Sequence, residues 1–421
     1  MGATYQTPVS AAAVGSSRDQ ADQLIRRARE LGPVIREHLD EAERERRLAK
    51  PVQDALRTAG FQRMLAPRSL GGLEVDPVTC ARVVEEVSSF DSAAGWALQA
   101  PNVNVWWAAR LPDKGAEQIY GSDPSTPVAA AFHPPQMAIE VTGGFRVTGR
   151  SPLASNIHDC EWALFSGLIM DDGRARMTEF GPAMIAFILR TSEVEILDTW
   201  YTLGMRGTDS SDVSFRDVFV PEHRTFPLAP EFVPGRHFQG PLYRFPAAGI
   251  IAIFSAAVLL ATARGAITEL RELATKRVPF GSPKTLSERG TLQSALAASE
   301  ATLRAARALF HDTMADAWAR TSSQQGHTLE QRADVLLAAI HAVKSAVEVT
   351  DTMHRLAGTT GIYTKSRLDR YFRDVHTLRQ HGFVSENKLE SIGQIYRGLN
   401  GAAAYTTRPP TIVISTFASL S

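Results

Sequence analysis

Cysteine is nearly missing from this chain: Cys80 and Cys160 are the only two in 421 residues. One pair cannot make a disulfide framework, so the chain reads as a protein of a reducing, cytoplasmic setting held together by burial. An excess of either charge is missing as well, with Lys+Arg and Asp+Glu both at 45. Nothing global therefore draws the chain to nucleic acid or to an anionic membrane. No charged-then-apolar leader opens it, and MGATYQT reads as a disordered tail. Gly2 hints at myristoylation, but Gln6 stands where that signal wants Ser or Thr. Long apolar runs are scarce. The most apolar, AAGIIAIFSAAVLLATA from Ala247 to Ala263, carries Ser255 and Thr262 and is bounded by Pro246 and Arg264. It falls short of the roughly 20 residues a span needs, which predicts a buried core helix.

Several chemical signatures are also absent. No G-x-G-x-x-G follows a strand and no G-x-x-x-x-G-K-[ST] occurs, so the usual signals for a nicotinamide dinucleotide or a nucleoside triphosphate are lacking. G-x-S-x-G is absent, which leaves a hydrolase nucleophile elbow without support. His376 and His381 lie five residues apart, a turn of about 140° on a helix, so they face different ways. His158, Asp159 and Cys160 are consecutive and cannot all reach one ion from regular backbone. No metal is expected.

What is present is 44% apolar and 21% charged, the balance of a globular protein, at a length that exceeds one ordinary core. Three regimes follow one another. Residues 18–122 space their apolar positions by threes and fours, as helices do, with Pro51 and Gly60 bracketing one short helix. Residues 123–228 alternate: MAIEVTGGFRVTGR reads as a hairpin around Gly143-Gly144, and WALFSGLIM, AMIAFILR, VEILDTW and VSFRDVFVP as further strands, about seven in all. In 229–421 helical spacing returns over 247–278, 288–319 and 328–357, with short helices after 366 and 386. Helices, a small sheet and then a helical bundle make an α+β protein of three units.

Several segments, in this order, resemble the acyl-CoA dehydrogenase superfamily, and more closely its flavin-dependent monooxygenase branch. They are FQRMLAPRSLGGLEVDP (61–77), DSAAGWALQAPNVNVWWAARLPDKGAEQIYG (91–121), GGFRVTGRSPLASNIHDCEWALFSG (143–167) and DTWYTLGMRGTDSSDVSFRDVFVPEHR (198–224). L-G-M-R-G-T-D-S with D-V-F-V-P downstream is the most specific combination, and Trp96 matches the branch. The resemblance implies this same three-unit fold, with flavin between the β domain and the bundle. It also implies reduced FMN or FAD supplied by a separate flavin reductase, O2 as co-substrate, a flavin hydroperoxide as oxidant, and a homotetramer or at least a dimer.

The stretch RYFRDVHTLRQHGFVSE, Arg370 to Glu386, turns the reading toward oxygenation. Dehydrogenases of this superfamily carry a glutamate base soon after an Arg-Asp pair. Aligned from Arg373-Asp374, this chain has His381-Gly382 at that place, and the monooxygenase branch has a histidine there. An imidazole can take or orient the proton of a phenol, so His381 is expected to be the base or the substrate orienter. Ser155 in LASN matches the serine that bonds the flavin ring. Asn156 follows it where the branch often has Gly, and Asn tolerates positive φ. Asn104 stands where many hydroxylases have a second histidine; it can bond a substrate but cannot act as a base.

Arg277 in RVPFG (277–281), with Phe280, is similar to the segment whose arginine reaches the flavin tail in a neighbouring subunit, a task suited to the guanidinium fork. Trp200, Arg206 and Thr208 match flavin-lining positions, although Arg206 could instead pair with Asp212. Trp106, Trp107, His237, Phe238 and Tyr243 are candidates for an apolar substrate wall. His133 lies where the family's backbone meets the isoalloxazine ring. His376 is expected to satisfy a bond within the bundle, and Arg373 and Asp374 to form an interhelix or intersubunit ion pair. The activity implied is hydroxylation of a phenolic or polycyclic aromatic substrate. N- or S-oxygenation on the same scaffold is an alternative, as is a dehydrogenase whose base has moved to Glu386 or Glu390.

Overall fold

The computed structural model describes residues 11–179, 181–228 and 233–398. The opening MGATYQT and residues 399–421 of the third unit lie outside the described residues. The chain opens with helices α1 (Ala11–Glu30), α2 (Gly32–Glu37), α3 (Leu39–Glu45), α4 (Lys50–Thr58), α5 (Pro77–Ser88), α6 (Ser92–Trp107) and α7 (Asp113–Tyr120). Local chemistry sets their starts. Asp76 accepts from the Thr79 amide ahead of α5, whose first residue is Pro77, and Asp91 accepts from the Ala94 amide ahead of α6. Helix α6 continues through Pro101 and is buried along almost its whole length. Its position is therefore set by packing on all sides rather than by one apolar stripe.

A sheet follows: β1 (Val128–Val141), β2 (Gly144–Ser151), β3 (Trp162–Asp171), β4 (Arg174–Ala175), β5 (Met177–Thr178), β6 (Gly181–Pro182), β7 (Met184–Arg190), β8 (Glu195–Leu197), β9 (Asp212–Pro221) and β10 (Thr225–Pro227). Seven strands run in the order β10-β7-β3-β1-β2-β9-β8, with β4 attached to β3 and β5-β6 a separate pair. Strands β1 and β3 are parallel and the other ladders antiparallel. The β1–β2 hairpin turns at Thr142-Gly143, one residue earlier than the glycine pair suggests. Gly143 has φ 82°, whereas Gly144 already lies in β2, where a Cβ would come within 2.0 Å of the Val220 carbonyl. The first glycine serves conformation and the second serves close approach.

The third unit consists of α8 (Ala247–Lys276), α9 (Gly290–Ser322), α10 (Leu329–Ala357), α11 (Arg367–Leu378) and α12 (Lys388–Tyr396). Helix α8 passes a membrane span's test of length and composition, but 94% of its most apolar 18-residue stretch is buried in the protein. Its partners α5, α6, α9, α10 and α11 supply the apolar surround that a bilayer would otherwise give. One core joins this bundle to the N-terminal helices, and a smaller one, with Phe165, Phe187 and Phe215 in mutual ring contact, fills the sheet.

Helix α11 ties the units together. Arg370 donates to the Leu39 carbonyl (2.8 Å) and to the buried Asp91 (2.9 Å). Arg373 bonds Glu43 (2.6 Å) and Asp369 (2.8 Å) rather than Asp374. Asp374 instead accepts from the Met205 amide (2.6 Å), and the Thr377 hydroxyl accepts from the Gly204 amide (2.9 Å). The expected Arg373–Asp374 pair is thus split: one member clamps the first unit and the other clamps the loop that follows Trp200. A Cβ on Gly204 would lie 2.3 Å from the Arg373 backbone, so only glycine allows this approach.

Candidate active site

Two irregular segments face α6. The first is the turn 153–156, in which Asn156 has φ 59°, the left-handed conformation that an Asn can take in place of Gly. The second is the loop 200–211 held by α11. They are stitched together by the Ala154 amide on the Ser211 carbonyl (3.1 Å) and the Asn156 amide on the Thr208 carbonyl (2.9 Å). Asp209, buried with φ 44°, fixes the loop from behind by accepting from the His158 amide (3.1 Å) and from Nδ1 of the His158 ring (2.8 Å).

These constraints line up a row of hydrogen bonds. Trp96 Nε1 donates to Ser155 Oγ (2.9 Å), which lies 2.9 Å from Ser210 Oγ; Ser210 Oγ is 2.8 Å from Thr208 Oγ1, and Thr208 donates to the Met205 carbonyl (2.8 Å). Thr208 and Ser210 are buried and Ser155 is half-buried. His381 meets the other side of Trp96: the rings stand edge-on with centroids 5.3 Å apart, and Phe383 follows at 5.8 Å. Serines and a threonine of the second unit and a histidine of the third thus gather beside a tryptophan of the first.

His381 is half-buried and its Nδ1 has no hydrogen-bond partner. Burial, aided by the charge of Lys388, pushes its pKa down to about 4, so the ring is neutral at physiological pH. The carboxylates proposed as a relocated base lie elsewhere: Glu386 is an exposed partner of Arg379 (3.5 Å) and Lys344 (3.9 Å), and Glu390 is exposed.

The remaining candidates divide. Trp200 donates to the Arg206 carbonyl (3.0 Å) and braces the loop. Arg206 approaches Glu43 at 3.9 Å, while Asp212 is taken by Arg150 (2.8 Å), so the Arg206–Asp212 alternative does not hold. Asn104 is buried and donates to the Val128 carbonyl (2.7 Å), joining α6 to β1. Trp106 donates to the Leu242 carbonyl (3.0 Å), and Phe238 stacks edge-on against Tyr243 at 4.9 Å; both are buried in the first core. Trp107 packs on Phe132 of β1 at 5.2 Å. His237 bonds Glu117 (2.9 Å), His133 is exposed, and His376 bonds Asp351 (2.7 Å) within the bundle.

Arg277 caps α8, with its guanidinium on the hydroxyls of Thr360 (2.8 Å) and Thr359 (3.3 Å), both neutral. Phe280 beside it is fully exposed and Val278 is 57% exposed. Ser210 was not singled out by sequence reasoning. Its signal was the density of hydroxyls in TDSS, but nothing linear links that run to Ser155 or Trp96.

The known proteins that resemble this chain agree with one another. The family description "Acyl-CoA dehydrogenase, N-terminal domain" matches residues 18–111, and "Acyl-CoA dehydrogenase, C-terminal domain" matches 253–386. Indole-3-acetate monooxygenase of Pseudomonas putida is 30% identical over 370 residues, covering 88% of this chain and 92% of that protein. The chain belongs to the flavin-dependent monooxygenase branch of the acyl-CoA dehydrogenase superfamily. It is an oxidoreductase of that class. The FADH(2)-dependent resorcinol hydroxylase oxygenase component of a Rhizobium species is 24% identical over 91% of this chain and 96% of its own. Among solved structures, 3-HSA hydroxylase from Rhodococcus sp. RHA1 superposes with a TM-score of 0.83 at 26% identity, over 90% of this chain and 97% of that one. XiaF from a Streptomyces species, in complex with FADH2 and glycerol, shares the fold with a TM-score of 0.85 at 24% identity, over 92% and 98% of the two chains.

The residues of this chain fit such a cofactor. A flavin ring needs neutral hydrogen-bonding groups beside an aromatic wall, and its phosphate needs a cation that no carboxylate has already taken. The hydroxyl of Ser155 and the Trp96 ring would supply the first. Arg277, held on hydroxyls alone among the described residues, would supply the second.

Proposed function

We propose that this chain is the oxygenase component of a two-component monooxygenase that hydroxylates a phenolic or polycyclic aromatic substrate in the cytoplasm. The observation that carries this reading is the imidazole of His381, set edge-on against Trp96 where the dehydrogenases need a carboxylate. Reduced FMN or FAD, delivered by a separate reductase, would with O2 supply the electrophilic oxygen. Ser155 bonds the ring of that cofactor, Thr208 and Trp200 hold the loop beside it, Arg206 lies at the loop's outer edge, and Arg277 with Phe280 meets the tail of a cofactor in a neighbouring subunit.

Magnitudes decide what His381 does. A phenol has a pKa of about 10 and burial holds that of the imidazolium here at about 4, so complete proton transfer in the ground state is strongly uphill. His381 therefore orients the substrate hydroxyl by accepting its hydrogen bond, and it takes the proton only as charge leaves the phenol oxygen. Trp96 and Phe383 limit where that hydroxyl can sit, and Trp106, Trp107 and Phe238 would form the aromatic wall beyond it. A neutral histidine suits this task because it puts no charge beside a site that must exclude water.

The test supplies reduced FMN or FAD anaerobically, then O2, with and without a panel of phenols and indoles. The expected outcome is hydroxylated product from at least one aromatic, formed in place of hydrogen peroxide. Peroxide release that no aromatic suppresses, with flavin bleached by an acyl thioester instead, would sink the reading.

The RVPFG loop carries a second expectation. Arg277→Ala should weaken flavin binding by about ten- to a hundredfold, the worth of one or two charged hydrogen bonds. Phe280→Asp should lower the mass in solution from that of a tetramer or dimer, as read by light scattering. Unchanged affinity and mass in both variants would remove this loop from the site.

A further inference from the structure

We propose, resting on the oxygenase reading above, that the aromatic substrate lies lengthwise along α6 and that Ala100 decides how many fused rings it can carry. Helix α6 is covered almost everywhere, yet the little exposure it keeps is not scattered. Ala100 is the only residue of α6 that is half-buried rather than buried. Trp96, Ala97, Val103, Asn104 and Trp107 keep 4–7%, whereas its other side chains, Pro101 aside, keep 2% or less. From Trp96 onward these six fall within an arc of about 120° on the helix, and every other residue of that stretch falls outside it. Ala100 lies at the middle of the arc. A single stripe of accessible side chains on a helix enclosed by protein is the floor of a slot.

Trp96 and Trp107 stand eleven positions apart, which makes the slot about 16 Å long. Its two ends differ. At Trp96 stand His381, at 5.3 Å between ring centroids, and Ser155 at 2.9 Å. Pro101 is the reason the 153–156 turn seats at this end. Having no N–H, it leaves the Ala97 carbonyl without its helical donor, and Asn156 Nδ2 takes up that carbonyl at 3.3 Å. At the other end Phe132 of β1 closes on Trp107 at 5.2 Å. Strand β1 flanks one edge of the stripe, where Asn104 meets the Val128 carbonyl, and α8 the other, where Thr262 meets Ser92 at 3.0 Å.

Five of the six stripe residues are apolar and none is charged, so the body of a fitting ligand is neutral and apolar. Its hydroxyl or ring N–H belongs at the Trp96 end, beside His381. A single ring there leaves the floor from Ala100 to Trp107 facing water. A second and a third fused ring cover it, and the apolar area they withdraw from water favours them over a monocyclic phenol. Ala100 stands about 6 Å along the helix from Trp96, where the second ring has to pass. Its methyl group leaves the slot open at that point, and a larger side chain would stand in the ring's path.

The experiment measures binding of phenol, 2-naphthol and the three-ring 2-hydroxycarbazole to the full-length protein by equilibrium dialysis without flavin, then kcat/KM for each with reduced flavin and O2. Native protein should bind 2-naphthol about ten- to a hundredfold more tightly than phenol. Ala100→Leu should lower that ratio about tenfold, and in turnover the change should fall on KM rather than kcat. Ala100→Val, a smaller addition, should lower it severalfold and serves if the leucine variant folds poorly. A defect that is merely structural would weaken one-ring and two-ring ligands alike and leave the ratio in place. Equal affinity for one, two and three rings in the native protein, or a ratio that both variants leave unchanged, would overturn the inference. Fused rings that bind with this dependence on size yet are never hydroxylated would sink the oxygenase reading while upholding the slot.

Discussion

Replacing His381 with alanine should lower the hydroxylation rate about a hundredfold, the low end of what a positioned proton acceptor contributes. Oxygen should then be released as hydrogen peroxide, because reduced flavin still binds while the substrate hydroxyl has lost its partner. The pH profile separates this role from a merely structural one. A histidine whose folded pKa lies below its unfolded value stays neutral until the pH falls to that lower value. With His381 pushed down to about 4, its protonation leaves the rate flat from pH 5 to 8, and the stability that its neutral form contributes is present above about 6.5 and lost on the way down to 4. An inflection near 6.5 in the native enzyme that vanishes in His381→Ala would show that the imidazole titrates normally, and would refute this account.

The largest effect on stability is expected at Arg370. Its guanidinium is nearly buried and holds Asp91, itself the cap of α6, and it lies within reach of Glu43 and Asp374. Burial alone would weaken its charge, but the carboxylates Asp91, Asp374 and Glu43 outweigh that and hold it firmly protonated. Arg370→Ala leaves buried carboxylates uncompensated, which costs about 3–5 kcal/mol. The deficit should also grow with pH. Burial raises Asp374 to about 6, with Arg370 the main group pulling it back. A carboxyl raised in the folded state stabilises fully below its unfolded pKa, and that contribution is lost as pH rises through the folded one. Without Arg370 the folded pKa moves higher still, so the loss extends beyond 6. Urea midpoints of native and variant proteins at pH 5 and pH 8 check this, and a deficit that is equal at both values would show that Asp374 is not coupled to Arg370.

Both residues belong to one seventeen-residue stretch, yet only half of its meaning was open to linear reading. His381 and Gly382 stand out against the family's expected carboxylate because a missing base is visible in any alignment of residue types. The arginines could be counted, but their partners, Leu39, Glu43 and Asp91, lie some 280 to 330 positions away.

Spacing and turn residues alone determined the order of helices, sheet and bundle, the start of α10, the burial of α8 and the hairpin between β1 and β2. These are local matters of periodicity, caps and backbone freedom, so the chain states them directly. Trp96 facing both His381 and Ser155, the row through Ser210 and Thr208, and the use of Asn104 as a bolt to β1 were decided only by the tertiary structure. A hydrogen bond between residues 59 or 173 positions apart has no period and no fixed offset. It exists because packing brings α6, the 153–156 turn and α11 to one place, and burial then obliges every polar atom there to find a partner.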